Sequence, residues 1–326
     1  MKTYSTHDIS NEIKAEAQRL GFSACGIAKA EPVSPLVAAR YRLWLSDGKH
    51  ASMQYLEKNL DKRLDPTLLM PNAQSIICLA LNYYPTHLLA PHQYQFAYYA
   101  YGQDYHDVMK QKMQSLITFI HTLLPSSSPD TPSFASKPCC DTAPILDRYW
   151  AHKAGLGWIG KNGNLIIPHA GSYFFLGEIL TDIPLTYDTP IPDHCGTCQK
   201  CIQACPTHAL AAPHSIDARQ CLSYLTIEHR GEFDPASRHL VEHSAANTIY
   251  GCDRCQKACP HNRFAQPTKI KELAPSDKFL SMTPADWHSL TPEDYRTLFK
   301  GSAVKRAKYE GLMRNIAHLV THHPQE

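Results

Sequence analysis

Eight of the twelve cysteines lie between residues 195 and 260. The first run has the spacing C-x2-C-x2-C-x3-C-P and consists of Cys195, Cys198, Cys201 and Cys205. A second run, again followed by proline, consists of Cys252, Cys255 and Cys259, and Cys221 stands between the two runs. This spacing holds 4Fe–4S clusters in two-cluster bacterial ferredoxins, because three closely spaced thiolates can reach one cube from a single loop. The sequence therefore predicts a two-cluster electron path.

The last cysteine of each run sits at a proline where a helix starts, and it turns toward the other cube. We therefore expect the first cluster to be held by Cys195, Cys198, Cys201 and Cys259. We expect the second cluster to be held by Cys205, Cys252, Cys255 and, as its outlying ligand, Cys221. Two zinc sites or a disulfide framework are the alternatives. Zinc does not need the third cysteine of such a run, and a chain of 326 residues can bury a core without disulfides.

The composition is that of an ordinary globular protein, with 43% hydrophobic and 19% charged residues. No apolar run approaches the roughly 18 residues that span a bilayer. The N-terminal segment reads as a polar amphipathic helix without the apolar region of an export signal, so we expect a cytoplasmic protein. The net charge of +2 neither predicts nor excludes a nucleic-acid partner, since a local basic face is sufficient for binding.

Helices and strands alternate in the first half of the chain. Apolar spacing predicts helices over residues 8–21, 35–47, 105–124 and 147–153, and strands over residues 23–30, 75–84, 164–168 and 172–181, with a loop over 125–133. We expect a mixed α+β or α/β fold in which a layered domain over residues 1–184 precedes a ferredoxin-like domain over 185–268. A short helical segment would occupy 269–326 and end in one helix of about 18 residues. That helix carries four basic residues, which are either a solvated face or contacts to an RNA backbone: Lys305, Arg306, Lys308 and Arg314.

Two further motifs are weak. Gly155, Gly157 and Gly160 spell G-x-G-x-x-G, but a helix precedes them and a strand follows, the reverse of a dinucleotide site. We expect these glycines to let the backbone approach another bulky ligand. Asp104 and His106 match the start of the D-x-H-x-x-G signature of some cobalamin proteins, but Met109 replaces its glycine. A helix N-terminus capped by Asp104 is the favoured interpretation.

Several long phrases resemble one known family, the epoxyqueuosine reductases. They are DTAPILDRYWAHKAGLGWIGKN, GSYFFLGEILTDIPL, CLSYLTIEHRG, IYGCDRCQKACPHNRF and GSAVKRAKYEGLMRNIA. The resemblance runs from about residue 8 to 320 and suggests a short form without the C-terminal helical-repeat extension of longer relatives. It implies a base-off cobalamin between the N-terminal and ferredoxin-like domains. It also implies epoxyqueuosine in a tRNA with a GUN-type anticodon as substrate, flavodoxin or ferredoxin as electron donor, and a monomer.

The resemblance also assigns residues. Asp141 matches the acid that protonates the departing epoxide oxygen, and an apolar corrinoid beside it would favour its neutral form. An ordinary helix cap before Pro144 is the alternative. Positions expected around the corrin ring or its tail are Arg63, Trp158, Asn162, Leu165, Ser223 and Asp253. Trp158 could instead be a core aromatic residue.

Two other functions remain open on the sequence. A reductive dehalogenase would share the corrinoid and both clusters, but these enzymes usually carry a twin-arginine export signal. An electron-transfer module without its own substrate would not need the long N-terminal domain that precedes the cysteines.

Overall fold

The computed structural model describes residues 5–124 and 134–320. Its α-helices are α1 Thr6–Arg19, α2 Pro35–Ser46, α3 Leu60–Leu64, α4 Tyr105–Leu123, α5 Asp147–Lys153, α6 Lys200–Gln203, α7 Leu222–Ile227, α8 Pro235–Ser244, α9 Arg254–Lys257, α10 Asp277–Ser281, α11 Pro284–His288, α12 Pro292–Leu298 and α13 Lys308–Val320. Its strands are β1 Ala24–Lys29, β2 Ser75–Asn82, β3 Gln95–Phe96, β4 Ser136–Cys139, β5 Trp158–Ile159, β6 Leu165–Ile166, β7 Phe174–Thr181 and β8 Thr248–Tyr250. The helices and strands expected in the first half are present, and the loop expected over 125–133 lies outside the described residues.

Four strands form the central sheet, in the order β1-β2-β7-β4, and each neighbouring pair is antiparallel. Strand β2 is apolar along its length because both faces of the sheet are covered. Ile77, Leu79 and Leu81 pack with α1 and α4 on one face, whereas Ile76 and Cys78 pack with α5 on the other. The mixed α/β class is therefore confirmed, in the form of an antiparallel sheet between helical layers.

A separate apolar core joins distant parts of the chain. It unites the segment 89–101, residues 218–250 and the helices from α10 to α13, with Trp287 fully buried at its centre. This core crosses the expected boundary near residue 268, so the C-terminal helices share their packing with the segment that carries Cys221 and Cys252. The division into three parts stays a prediction.

The prediction of a single closing helix at the C-terminus is wrong. A 3₁₀ turn covers Ala303–Ala307, and α13 begins at Lys308, whose φ of 61° breaks the helical path. The chain changes direction between the 3₁₀ turn and α13, and this places Val304 and Ala307 of the turn in the core. Among the described helices, none is long and apolar enough to cross a membrane.

Candidate active site and cysteine clusters

Four cysteine thiols line one cavity. Its walls are Cys195, Cys198, Cys201, Cys259, Lys161, Asn162, Ile166, Pro260 and His261. The first three cysteines lie around the start of α6, and Cys259 follows α9, which packs against α6. The structure thus brings together the four thiols that the spacing grouped first.

The other four cysteines form a second group. Burial raises the pKa of Cys255, and the nearby Cys252, Cys221 and Cys205 raise it further. Burial also raises the pKa of Cys252 to about 11, and Cys221 acts in the same direction. All twelve cysteines of the chain are free thiols. Because iron binds thiolates, cluster assembly must displace the protons that these raised pKa values retain.

Trp158 lies against the first group of cysteines. Its side chain is 2% exposed, and its indole Nε1–H donates to the Cys195 Sγ over 3.5 Å. Its ring also contacts the rings of His194 and His261 edge to face. The resemblance placed Trp158 at the corrin ring, but its observed partner is a cysteine of the first group.

The turn after β5 ties both groups of cysteines together. The Lys161 ammonium donates to the carbonyl oxygens of Gly196 at 2.6 Å and Cys198 at 2.9 Å. Asn162 is 2% exposed and donates to the carbonyl oxygen of Cys255 at 3.4 Å. Asn162, which was also expected at the corrin ring, therefore bridges the cavity of the first group and a cysteine of the second.

Asp141 lies on the loop that connects β4 to α5, with a φ of 56° in the left-handed region. Its side chain is 64% exposed. The Tyr105 hydroxyl donates to Asp141 Oδ2 at 2.9 Å, and His106 Nε2 lies 3.3 Å from the same oxygen. Both partners come from the first turn of α4. The strained backbone and the convergent donors mark this loop as a functional candidate.

The charge state of Asp141 differs from the expectation. The hydrogen bond from His106 is the largest influence and lowers the pKa of Asp141, with Tyr105 acting in the same direction and burial opposing both. In the described structure, the carboxylate is therefore the favoured form. This form differs from the neutral Asp141 that the resemblance predicts beside a corrinoid, and the partners His106 and Tyr105 are not among the predicted site residues. The cap motif at Asp104 placed both residues at a helix start, but nothing in the sequence placed that helix beside Asp141.

Arg63 contacts the end of the Asp141 loop through hydrogen bonds. It is 8% exposed and donates to the carbonyl oxygens of Ile145 and Tyr55, both at 3.3 Å. Its Nε is buried without a hydrogen-bond partner among the described residues. Ile145 lies four residues after Asp141, so the guanidinium fixes the end of the same loop.

The remaining expected cofactor contacts have internal partners. Leu165 is buried in the core beside α5. The backbone N–H groups of Tyr224 and Ser223 point at the Cys221 thiol, where they oppose the rise of its pKa that burial causes. The Asp253 carboxylate accepts from the Tyr98 backbone N–H at 2.7 Å, and burial raises its pKa to about 6. Ser223 and Asp253 therefore lie beside the second group of cysteines.

The expected role of the three glycines is wrong. A Cβ on Gly157 would stand 2.1 Å from the carbonyl oxygen of Ile166, and one on Gly155 would stand 2.6 Å from that of Thr189. A Cβ on Gly160 would meet the Ile166 side chain at 2.6 Å. These glycines allow close packing within the protein and do not form a cradle for a ligand.

The four basic residues of the C-terminal segment differ in exposure. Arg314 is 8% exposed and donates to the carbonyl oxygens of Leu225, His229 and Gly231, so its assignment to tRNA binding is wrong. Arg306 forms an ion pair with Glu228 at 2.6 Å, and it lies near enough to Asp141 for the two charges to interact. Lys305 and Lys308 are exposed.

Comparisons with known proteins agree on one family. A family model described as epoxyqueuosine reductase QueG, DUF1730 matches residues 63–142, and one described as a 4Fe-4S double cluster binding domain matches residues 194–262. The epoxyqueuosine reductase of Cellulophaga algicola is 44% identical over 97% of this chain and 99% of its own length.

Two solved structures extend the match to the fold. An epoxyqueuosine reductase in complex with an epoxyqueuosine-modified tRNA-Tyr stem loop is 29% identical, with a TM-score of 0.87 over 98% of this chain and 82% of that chain. The enzyme from Bacillus subtilis, with its catalytic aspartate loop swung out of the active site, is 28% identical, with a TM-score of 0.86 and the same coverage. The chain belongs to the epoxyqueuosine reductase family, a family of oxidoreductases.

Proposed function

We propose that this protein reduces epoxyqueuosine to queuosine at the wobble position of tRNA, with Asp141 as the proton donor. The reaction breaks both C–O bonds of the epoxide, consumes two electrons and two protons, and releases the oxygen as water while a C=C bond forms. The observation that carries the proposal is the pairing of two four-cysteine groups with an exposed carboxylate that accepts two hydrogen bonds. Electron carriers and a proton-handling group are the parts that a reductive elimination of water needs.

Cobalamin and two 4Fe–4S clusters are the cofactors of this family. The donor sets fit the clusters, because each group offers four thiols and the first group encloses a cavity. We assign the first cluster to Cys195, Cys198, Cys201 and Cys259. We assign the second to Cys205, Cys221, Cys252 and Cys255.

The residues around Asp141 fit a large polar cofactor. The Asp141 side chain is 64% exposed, and the 45% exposed Tyr55 is near enough for the Asp141 charge to raise its pKa, so a carboxylate and an aromatic ring are both open to a ligand. When bound, cobalamin supplies a low-potential cobalt centre that can deliver electrons to an epoxide carbon. We expect Arg63 and the Asp141 loop to border it, with Ser223 and Asp253 on the side of the second cluster.

Asp141 would act on the departing oxygen. Its side chain is exposed and held by Tyr105, so the carboxyl group is aimed before the substrate arrives. Bacillus subtilis epoxyqueuosine reductase also has a catalytic aspartate on a loop that can leave the active site. We infer that the Asp141 loop moves in the same way when the substrate enters.

We propose a tRNA with a GUN-type anticodon as substrate, because a relative has been solved with an epoxyqueuosine-modified stem loop. The modified base must leave its stack to reach Asp141. Lys305 and Lys308 are our candidates for phosphate contacts, since both are exposed. We further propose flavodoxin or ferredoxin as the donor, a monomeric enzyme and action in the cytoplasm, where its tRNA substrate is found.

The test is anaerobic conversion of epoxyqueuosine-containing tRNA by the reconstituted protein and a chemical reductant, with and without cobalamin, followed by mass spectrometry of the nucleosides. We expect queuosine only with cobalamin. Asp141→Asn should retain both clusters and the cofactor while the rate falls about 10²-fold or more, because it removes a general acid. Absence of queuosine from the fully loaded wild-type protein would overturn the proposal. Loss of cofactor binding in Asp141→Asn would assign that residue to structure.

A further inference from the structure

A chain of three polar side chains leads from the Asp141 carboxylate back to the N-terminus of α4. His106 Nε2 lies 3.3 Å from Asp141 Oδ2, and His106 Nδ1 lies 2.7 Å from Asp104 Oδ1. The same Asp104 oxygen accepts the backbone N–H of His106 at 3.1 Å, as the cap of the helix. The imidazole is therefore held at both nitrogens by carboxylates. Asp104, fixed by the helix start, orients the ring toward Asp141.

The reaction consumes two protons, and one carboxyl group can supply only one of them before it must be reloaded. We propose that His106 is the group that reloads Asp141, with Asp104 as its orienting partner. This inference rests on the proposed function, and it adds a residue for which the sequence favoured a helix-cap interpretation. Neither His106 nor Asp104 touches the reacting carbon atoms in this arrangement, since both act through Asp141.

The proton balance follows from the geometry. The proton on His106 Nε2 passes to Asp141 Oδ2, and Asp141 delivers it to the oxygen that leaves the substrate. The imidazole is left neutral and keeps its Nδ1–H directed at Asp104. Because its side chain is 32% exposed, it can regain a proton from solvent. A second transfer along the same path completes the water molecule.

The electrostatics of the site keep a proton on His106 at rest, and the departing oxygen of the substrate is the base that draws it through Asp141. The Asp104 carboxylate, followed by Asp141, raises the pKa of His106 to about 9, so the imidazolium is the resting form at neutral pH. Other charged or titratable groups also surround the pair. They are Tyr105 on α4, Lys305 and Arg306 before α13, Arg148 and Asp147 on α5, Glu178 on β7, and Tyr55 and Cys140.

The experiment is the pH dependence of single-turnover conversion by chemically reduced, fully loaded enzyme. In the wild type, we expect the rate to fall as pH rises through about 9, where the imidazolium loses its proton. His106→Gln keeps an amide donor for Asp141, but the amide cannot take up and release a proton as the imidazole does. We expect its rate at neutral pH to fall about tenfold or more and to recover in acid, where Asp141 itself is protonated.

Two further variants separate proton transfer from structure. Asp104→Asn removes the largest influence that raises the pKa of His106. The alkaline limb of its pH–rate profile, where the rate falls with rising pH, should therefore lie between the limbs of the wild type and His106→Gln. Tyr105→Phe removes the other hydrogen bond to Asp141 but no imidazole. Its rate can change, but its alkaline limb should stay near that of the wild type.

The outcomes distinguish this inference from the proposed function. Cluster absorbance and bound cobalamin are measured on each variant first, so that misfolded protein is recognised. If wild type converts the substrate and His106→Gln keeps both its rate within twofold and its alkaline limb, the reloading role of His106 is overturned while the proposed function stands. If the loaded wild type makes no queuosine at all, the proposed function itself has failed.

Discussion

At the scale of single residues, the contact between Trp158 and Cys195 bears on electron flow. The indole N–H of Trp158 donates to the Cys195 Sγ over 3.5 Å, and the side chain of Trp158 is almost fully shielded from solvent. A hydrogen bond to a cluster sulfur stabilises the more negative, reduced state and so raises the reduction potential. A single N–H donor in a dry environment can thus decide how readily the first cluster accepts an electron.

Trp158→Phe should therefore lower the potential of the first cluster while both clusters remain assembled. We expect a decrease on the order of tens of millivolts, where about 59 mV corresponds to a tenfold change in a one-electron equilibrium. The measurement is a redox titration followed by electron paramagnetic resonance. Trp150→Phe is the matched control, because Trp150 lies on α5 and is fully buried in a core that contains no cysteine of either group. Equal potentials in wild type and Trp158→Phe would contradict the expectation.

At the scale of elements, α13 is fixed to the protein by its charged side rather than by apolar contacts alone. The guanidinium of Arg314 donates to three backbone carbonyl oxygens around the end of α7. The next residue, Asn315, donates to the carbonyl oxygens of Thr226 at 2.8 Å and Ile249 at 2.9 Å. Leu225 and Thr226 lie in the last turn of α7, where carbonyl groups lack an intrahelical partner, so α13 supplies their missing donors.

Arg314→Met should therefore destabilise the fold without a specific loss of tRNA affinity. Leaving buried carbonyl groups unpaired costs about 1–3 kcal/mol for each group, so we expect about 3 kcal/mol in the free energy of unfolding. Lys308→Met, at an exposed position on the same helix, is the control. It should leave stability unchanged and make the salt dependence of tRNA binding less steep by about one unit of slope.

Denaturant unfolding and tRNA titrations at several salt concentrations check both variants of α13. The assignment of Arg314 to structure would be wrong if Arg314→Met unfolded like the wild type and lost tRNA affinity. The phosphate contact of Lys308 would be refuted if Lys308→Met bound tRNA with the salt dependence of the wild type.

The elements also show what the sequence could predict and what it could not. Strands β2 and β7 were predictable because their β-branched and apolar residues are buried on both faces. Strand β4 was missed because Ser136–Cys139 is short and contains Pro138, which a sheet tolerates at its edge. Yet β4 delivers the loop of Asp141 to α4. The spacing of the cysteines predicted which thiols lie near each other, whereas the meeting of Asp141 with His106 depends on tertiary packing that no local pattern encodes.

At the scale of the whole molecule, the segments that bear the cysteines share their packing with distant parts of the chain. Cys221 and Cys252 pack against the core that also holds α10 to α13 and the segment 89–101. The turn after β5 reaches both groups through Lys161 and Asn162. We therefore expect cluster assembly and folding to be linked, because the cysteines can bind a cluster together only when the fold holds them near one another.

A buried pair of acids makes global stability depend on pH. Glu178 lies in the middle of β7, opposite Cys78 and Cys139, and is completely buried. Neither of its carboxyl oxygens, nor Asp147 Oδ1, has a donor among the described groups. Burial raises the pKa of both residues; the nearby Asp147 raises the pKa of Glu178 further, whereas Glu178 lowers that of Asp147. A shared proton is the arrangement that satisfies this pair.

The sign of the pH effect follows from these raised pKa values. In the unfolded chain both groups ionise near pH 4, whereas in the folded protein they hold their protons to higher pH. The folded state then binds more protons, so the stability is fully present below about pH 4 and falls as pH rises through the folded pKa values. Glu178→Gln cannot ionise, so its free energy of unfolding should decline less between pH 5 and pH 8 than that of the wild type. The difference should be about 1 kcal/mol or more, since one pKa unit corresponds to about 1.4 kcal/mol.

Anaerobic denaturant unfolding at several pH values measures this dependence. Glu293→Gln is the control, because Glu293 is 79% exposed and pairs only with the exposed Arg296 at 3.0 Å. Its stability curve should run parallel to that of the wild type. If the Glu178→Gln curve also ran parallel to the wild type, Glu178 would already be ionised in the folded protein, and a donor would have to reach it through the sheet. Because Glu178 is completely buried and α5, which carries Asp147, packs on β7, such a donor could enter only where this packing opens.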